Sequence, residues 1–308
     1  MKPPLCTTCS SDVAVYHRPY SGEKLCRSCF IESVEERVRR AICRYDMFEP
    51  DDRIAVAVSG GKDSLTVLRI LHKIEQRFPK SELVAISVDE GLGEYRAEAL
   101  ERASKLCGKL GVEHVVRSFK QVFGYTVEEA AELDRELGPC TYCGVFRRRI
   151  LNVAARELGA DKLVTGHNLD DVAQTILMNL IRGNLLEFMR FGLDEAPHPK
   201  LVRRVKPLML VPEREVAFYA YLTGIGFQRR TCPYFTLGFR NEVRNTLNRL
   251  EVMHPGIKFS ILRGFERLRD ALGEHLKPSL RECKKCGEPT TGEVCQVCRL
   301  LERLEAKA

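Results

Sequence analysis

Ile54-Ala55-Val56-Ala57-Val58-Ser59-Gly60-Gly61-Lys62-Asp63-Ser64 places a short apolar run directly before a glycine pair, a lysine, an aspartate and a second serine. Five apolar residues in a row are what a strand buried on both faces of a parallel sheet requires. The glycines let the backbone approach an anion, and a helix predicted from Ser64 to about Phe78 presents its free N–H groups and positive dipole end to the same anion. Lys62 adds a mobile charge, Ser59 and Ser64 add hydroxyl donors, and Asp63 offers a carboxylate to Mg²⁺. The spacing is not that of a Walker A loop, which has four residues between its first glycine and Gly-Lys. An ordinary strand–turn–helix connection is the competing reading, and the strand-then-helix context argues against it.

Outward from this loop, apolar runs and helical periodicities alternate. Strands are predicted at Leu83–Val88, Val112–Val116 and Lys162–Thr165, with helices over 94–110, 144–158 and 168–182. Such alternation predicts an α/β fold: a doubly wound, mainly parallel sheet. Before it, Val34, Val38, Ile42 and Tyr45 recur at helical spacing between Glu32 and Phe48, with Arg37, Arg39 and Arg40 on the other side. After it, 184–211 reads as irregular and basic, and 213–224 and 240–272 as mostly helical.

Composition narrows the class. Of 308 residues, 44% are hydrophobic and 30% charged, as in a globular rather than a disordered chain. No apolar run approaches the ~18–20 residues of a membrane helix, and Met1-Lys2-Pro3-Pro4-Leu5-Cys6 has no signal-peptide character, so a cytoplasmic location is expected. Lysine and arginine (49) exceed aspartate and glutamate (42) by seven, which permits nucleic-acid binding without demonstrating it.

Thirteen cysteines are many for a reducing compartment, and ten of them fall in five C-x₂-C pairs. Cys6, Cys9, Cys26 and Cys29 form C-x₂-C-x₁₆-C-x₂-C; Cys283, Cys286, Cys295 and Cys298 form C-x₂-C-x₈-C-x₂-C. Each set reads as a closed four-thiolate zinc site, structural because no position is left for water. Neither segment holds enough apolar residues to fold without the metal. A third group, Cys140, Cys143 and Cys232, has two readings with chemistry: three thiolates of a [4Fe–4S] cluster with one iron open, or a persulfide and resolving pair at Cys140 and Cys232. Buried but unrelated cysteines are the plain alternative. Cys43 and Cys107 fall inside helices and read as core residues.

Ligands of open α/β sheets bind outside the carboxyl ends of the strands. Val88-Asp89-Glu90-Gly91 and Gly166-His167-Asn168-Leu169-Asp170-Asp171 stand at two such ends, although Asn168 or Asp170 also suits a helix cap. The glycine loop resembles the SGGxDS signature of the PP-loop ATP pyrophosphatases, which split ATP into AMP and pyrophosphate. Further segments extend the resemblance over nearly the whole chain: Arg18-Pro19-Tyr20-Ser21-Gly22, Val88–Arg96, Cys140–Arg149, Gly166–Asp171 and Leu177–Gly183. With these, the chain resembles the cytosolic tRNA 2-thiouridylase family, similar to the archaeal and bacterial two-thiouridine synthetases.

The resemblance implies ATP-dependent 2-thiolation of a tRNA uridine, at the wobble position more than in the T-loop. It implies a nucleotide site of Ala57, Ser59, Gly60, Gly61, Lys62, Asp63, Ser64, Val88, Arg147, Gly166, His167 and Asp171. Lys62, Asp63, Asp171, Cys140 and Cys232 would carry the chemistry, with Mg²⁺ near Asp63 and Asp171, a [4Fe–4S] cluster on Cys140, Cys143 and Cys232, and two zinc ions. Some relatives carry lysine where this chain has Arg147, which favours phosphate binding over proton transfer there. Sulfur would come from a ubiquitin-like carrier with a C-terminal thiocarboxylate or from another sulfide source, and such enzymes commonly act as homodimers, although the sequence reveals no interface. For the tRNA backbone, candidate cations are Arg147, Arg148, Arg149, Arg203, Arg204, Lys206, Arg229 and Arg230, each equally readable as a solvated face. The expected domains are a zinc module (1–31), a linking helix (32–50), the catalytic domain (51–240), a helical segment (241–278) and a second zinc module (279–308). Rival functions are a lysidine-synthetase-like ligase, a non-catalytic zinc-dependent RNA-binding protein and a redox-cysteine sulfurtransferase.

Overall fold

The computed structural model describes residues 3–184, 198–235, 239–272 and 280–308. It opens on an antiparallel hairpin, β1 (Tyr16–His17) and β2 (Lys24–Leu25), that feeds helix α1 (Arg27–Arg44). Phe30, Val34, Val38 and Ala41 make one buried stripe on α1, at the i, i+4 spacing that a core-facing helix needs.

The alternating region follows as β3 (Arg53–Ala57), α2 (Lys62–Glu75), β4 (Glu82–Asp89), α3 (Gly93–Leu110), β5 (Glu113–Ser118), α4 (Phe119–Phe123), α5 (Val127–Leu133), α6 (Pro139–Glu157), β6 (Lys162–Thr165), α7 (Leu169–Ile181) and β7 (Arg203–Val205). Five parallel strands lie in the order β5-β4-β3-β6-β7. The chain winds outward from β3 in one direction through β4 and β5, then returns to the other side for β6 and β7. The reversal lies between β3 and β6, where Ala57 stands opposite Thr165, and the carboxyl ends of strands at such a switch point are where open α/β sheets bind ligands.

Both faces of the sheet are covered. Leu65 and Leu68 of α2 share one core with α1, and Phe146 and Ile150 of α6 share the other with the chain's C-terminal end. Burying each such side chain contributes about 1.5–3 kcal/mol. The remaining elements are α8 (Glu213–Leu222), α9 (Phe239–Met253), α10 (Ile257–Leu272), the hairpin β8 (Arg281–Glu282) and β9 (Pro289–Thr290), and α11 (Gln296–Glu305).

Several expectations change. Helix α6 begins at Pro139 rather than 144, since proline at the first helical position is pre-set for the turn; Cys140 and Cys143 therefore lie on the helix, not before it. Strand β7 lies in the region read as irregular: an edge strand carrying Arg203 and Arg204 has no apolar alternation to reveal it. Residues 185–197 of that region, and the boundary expected at 278/279, lie outside the described residues. The segment 240–272 is two helices, broken where Pro255 and Gly256 (φ +96°) interrupt it. Cys107 is buried as expected, but Cys43 is exposed and is not a core residue: it sits on the solvent face of α1, away from the buried stripe.

Candidate active site at the carboxyl edge of the sheet

The loop after β3 turns at Gly60, whose φ is +82°. A Cβ there would stand 2.1 Å from the Ala99 carbonyl oxygen, so only glycine fits. Ser64 Oγ accepts from the Ser59 N–H at 3.1 Å and donates to the Gly61 carbonyl at 3.0 Å, which closes the loop over the start of α2. Lys62 Nζ donates to Asp63 Oδ2 at 2.9 Å and to Glu213 Oε1 at 2.8 Å. Burial opposes its charge, but those two carboxylates outweigh burial and raise its pKa above the usual lysine value.

The loop after β6 closes on the same place. A Cβ on Gly166 would stand 2.8 Å from the Ser64 nitrogen, so the absence of a side chain lets the two loops touch. Asn168 and Asp171 form a capping box at the start of α7. Asn168 also donates from Nδ2 to Asp63 Oδ1 at 3.0 Å, so this residue caps a helix and ties the two loops together. Asp171 is pushed up to about 6, first by its desolvation in the crevice and then by the charge of Asp63. Two convergent carboxylates with mutual repulsion are a donor set that suits a magnesium ion.

Ala57 and Val88 frame this crevice at the ends of β3 and β4. His167 pairs its Nδ1 with Thr165 Oγ1 at 2.7 Å. Protein surrounds its ring on most sides although solvent reaches it; desolvation, then the charges of Lys206, Arg240, Arg204 and Arg147, push it down to about 3. The same crowding lowers Lys206 to about 8. This part of the crevice is a field of positive charge around a neutral imidazole, suited to polyanions.

The interior cysteines lie beside it. Cys140 and Cys143 stand on the first turns of α6, and Cys232 arrives after α8 and packs against the same core. Cys140 Sγ is 3.9 Å from the Tyr234 carbonyl oxygen. Cys232 acts electrostatically on both Cys140 and Cys143, so the three share one locality. Their sulfurs are not all within 4.8 Å of one another, whereas those of each terminal set are. That wider spacing suits thiolates on different irons of a cluster rather than on one ion.

A chain of charges joins the cysteines to the glycine loop. Arg96 donates from Nη1 to the Ser59 carbonyl at 2.8 Å, and its Nε lies 2.8 Å from Glu90 Oε2. Glu90 Oε1 lies 2.8 Å from Arg147 Nε, and Arg147 Nη2 reaches Cys143 Sγ at 2.7 Å. Arg147 thus faces the cysteine site, supported by an acid for which no role is evident in the sequence. Glu90 and Arg96 stand in a segment singled out by resemblance, but only folding shows them in contact. Glu213 had no sequence signal at all.

The other cations separate. Arg149 donates to Cys286 Sγ at 3.5 Å and Cys295 Sγ at 3.4 Å, so it belongs to the C-terminal module rather than to an open surface. Arg203 donates to the Tyr45 carbonyl and Arg204 to the Arg148 carbonyl. Exposed Arg230 pairs with Glu94 and Glu98.

Both terminal cysteine sets have a similar build: a turn supplies one pair, inside the Leu5–Val13 bridge at the N-terminus and between β8 and β9 at the C-terminus, and a helix supplies the other at its N-cap and third residue. At the N-terminus the Cys9 backbone N–H leads the effects that bring the Cys6 thiol down to about 6. Burial opposes ionisation of Cys283, but the backbone N–H groups of Cys295, Cys286 and Lys285 outweigh it, again to about 6. Four converging thiols, two in each set disposed to ionise, fit a tetrahedral zinc ion. The C-terminal set is fastened to α6: Arg156 Nη2 pairs with Glu288 at 2.6 Å, and wholly buried Asp134 accepts from Tyr142, Arg303 and Lys307.

Known proteins match this chain over almost all its length. A family model described as a PP-loop domain matches residues 31–251. The chain is 40% identical to the tRNA 2-thiolation protein NcsA of Haloferax volcanii, covering 98% of this chain and 99% of that protein. It is 34% identical to the cytoplasmic tRNA 2-thiolation protein 1 of Chlamydomonas reinhardtii, over 99% of this chain and 86% of the other. The structure of the U34-tRNA thiolase NcsA from Methanococcus maripaludis with its [4Fe-4S] cluster superposes with a TM-score of 0.85 at 39% identity, covering 99% and 97% of the two chains. With a glycine loop and a three-cysteine site at one edge of the same sheet, the chain belongs to the PP-loop family of tRNA 2-thiolation proteins.

Proposed function

We propose that this chain is an ATP-dependent tRNA 2-sulfurtransferase that adenylates O2 of the wobble uridine and replaces that oxygen with sulfur. The observation that carries the reading is the juxtaposition of a nucleotide loop with three cysteines through Arg96, Glu90 and Arg147. The names of the relatives support the substrate class.

In this reading Lys62 and the N–H groups of Gly60 and Gly61 hold the phosphates, with Asp63 and Asp171 on Mg²⁺. Ala57, Ser59, Ser64, Val88, Gly166 and His167 shape the nucleotide site around them. Uridine O2 attacks the α-phosphorus and pyrophosphate leaves, so the oxygen becomes part of an AMP leaving group. A sulfur at the sulfide level then adds to C2 and AMP departs with the oxygen; no electrons are gained or lost. Activation is needed because a carbonyl oxygen is otherwise a very poor leaving group. Cys140, Cys143 and Cys232 would hold a [4Fe–4S] cluster, which when bound supplies an iron with an open position for a sulfur ligand. Arg147 neutralises charge at Cys143 and orients that side of the site. The base must leave its stack to reach the crevice.

Zinc would hold Cys6, Cys9, Cys26 and Cys29 at one end and Cys283, Cys286, Cys295 and Cys298 at the other. The sulfur donor is a ubiquitin-like carrier with a C-terminal thiocarboxylate, and the enzyme works in the cytoplasm as a homodimer.

The test is thiolation of tRNA by anaerobically purified protein, followed by nucleoside mapping. Wild-type protein is expected to be iron-loaded and to place sulfur at the anticodon; Lys62→Ala and Asp171→Ala are expected to abolish it. Sulfur found only in the T-loop overturns the position, and activity in a colourless, iron-free protein overturns the cluster. Unchanged thiolation in both variants overturns the catalytic reading itself.

A further inference from the structure

Away from the glycine loop, α1 and α10 enclose an open groove of about 760 Å³, within the ~300–1,000 Å³ range of ligand sites. Arg37, Arg40 and Arg44 line it from α1, Arg263 and Phe259 from α10, and Tyr20 from the turn after β1. No acid lines it.

The acids behind its walls do not cancel its charge. Glu215, wholly buried, serves both Arg18 and Arg37. Arg44 pairs with Glu266 at 2.9 Å, and Arg40, 64% exposed, lies 3.9 Å from Glu36. Arg263 hydrogen-bonds Ser260 Oγ and has no acidic partner within 4.0 Å among the described residues. The Tyr20 and Phe259 rings lie 5.1 Å apart, with the Arg37 guanidinium 5.2 Å and 5.9 Å from their centres.

The groove is linked to the glycine loop through α8. Leu210, one of its lining residues, lies between the carboxyl end of β7 and α8. Glu215, against which Arg37 and Tyr20 rest, is two residues from Glu213, the partner of Lys62. Less than one turn of α8 separates the two contacts.

We propose that this groove is a second holding site for the RNA substrate, taking backbone phosphates on Arg40, Arg44 and Arg263 and a nucleobase against Tyr20 and Phe259. The inference rests on the RNA substrate proposed above and adds where its outlying nucleotides lie. An acidic protein is the other polyanion such a groove could take. The chemistry favours RNA: all the lining cations on the two helices are arginine, whose planar guanidinium pairs bidentately with phosphate and stacks on bases. Paired aromatic rings at the floor offer a base a stacking surface that a carboxylate-rich peptide does not use.

The experiment is equilibrium binding of an unmodified tRNA transcript to the full chain across a salt series. Arg40→Glu with Arg263→Glu is expected to weaken binding at least about tenfold at low salt and to make the log–log salt slope shallower by about 1.4–1.8, the loss of two phosphate contacts. Mg–ATP affinity is expected to stay at the wild-type value. Arg40→Gln with Arg263→Gln reads the same slope without reversing charge, should the double glutamate fail to fold. Wild-type tRNA affinity and slope in a folded variant overturn the proposal. This includes the case in which thiolation falls while tRNA binding holds, which assigns the groove to an acidic protein partner. If wild-type protein itself does not bind tRNA, the failure lies with the proposed function and not with the groove alone.

Discussion

Oε1 of Glu90 lies 2.8 Å from Nε of Arg147, while its other oxygen lies 2.8 Å from Nε of Arg96. Glu90 and Arg96 are buried, and Arg147 is half exposed toward the cysteines. One carboxylate therefore balances two guanidiniums, one fixed to the glycine loop and one to Cys143.

Removing that carboxylate leaves Arg96 charged and buried. Glu90→Gln is expected to cost about 3–5 kcal/mol of stability, the usual result of breaking a buried pair from one side. It should also release Arg147 from Cys143. Thermal unfolding reads the first effect, and iron content with the visible spectrum after anaerobic reconstitution reads the second. Arg147→Lys should keep the iron and change the spectrum less. A Glu90→Gln protein with wild-type stability would show that the carboxylate carries no such load.

Gly60 is the position where the glycine loop tolerates no side chain. Gly60→Ala forces a Cβ toward the Ala99 carbonyl at φ +82°. The expected cost is about 1–3 kcal/mol for the backbone conformation alone, with the clash added. Binding of Mg–ATP should fall because the loop moves. Calorimetry on Gly60→Ala and Gly61→Ala separates the two glycines, since a Cβ on Gly61 meets only the Ser59 hydroxyl, at 3.5 Å.

The terminal thiolate sets predict two zinc ions per chain. Cys283→Ser should remove one of them, seen by elemental analysis of the purified protein. Its effect should reach α6, because Arg149 rests on Cys286 and Cys295 and Arg156 on Glu288. Faster amide exchange over 139–157 is the measurement, and unchanged exchange there would separate the module from the helix.

Asp134 gives the docking of the C-terminal helix a pH dependence. Arg303 leads the partners that hold its carboxyl well below the usual carboxylate range, with Lys307 and Tyr142 adding to it. A depressed folded-state pKa means that the native state binds fewer protons than the unfolded chain. The stability it contributes is therefore present above about pH 4, the unfolded value, and is lost as pH falls below it. Asp134→Asn should lower stability at pH 7 and flatten this acid limb in denaturant titrations.

The fold was legible because β3, β4 and β6 are buried on both faces, and such strands must be apolar throughout. The glycine loop was legible because its glycines, lysine and serines stand consecutively between a strand and a helix, so its geometry is local. The terminal cysteine sets were legible for the same reason: each gathers four thiols from one short segment. What the chain order hid is of two kinds. β7 and the start of α6 are specified by pairing partners and by a proline at N1, not by periodicity. Glu213, Glu90 and Arg96 acquire their roles from residues far along the chain, such as Lys62, 151 positions from Glu213.

The sequence alone determined most element types, the glycine loop and the paired cysteines, because backbone propensity and residue spacing act over a few residues. Tertiary structure alone decided that Arg147 faces Cys143 with Glu90 behind it, that Arg149 serves the C-terminal module, and that four arginines surround one groove. Coulomb attraction and burial depend on distance in space, and only the folded sheet fixes those distances.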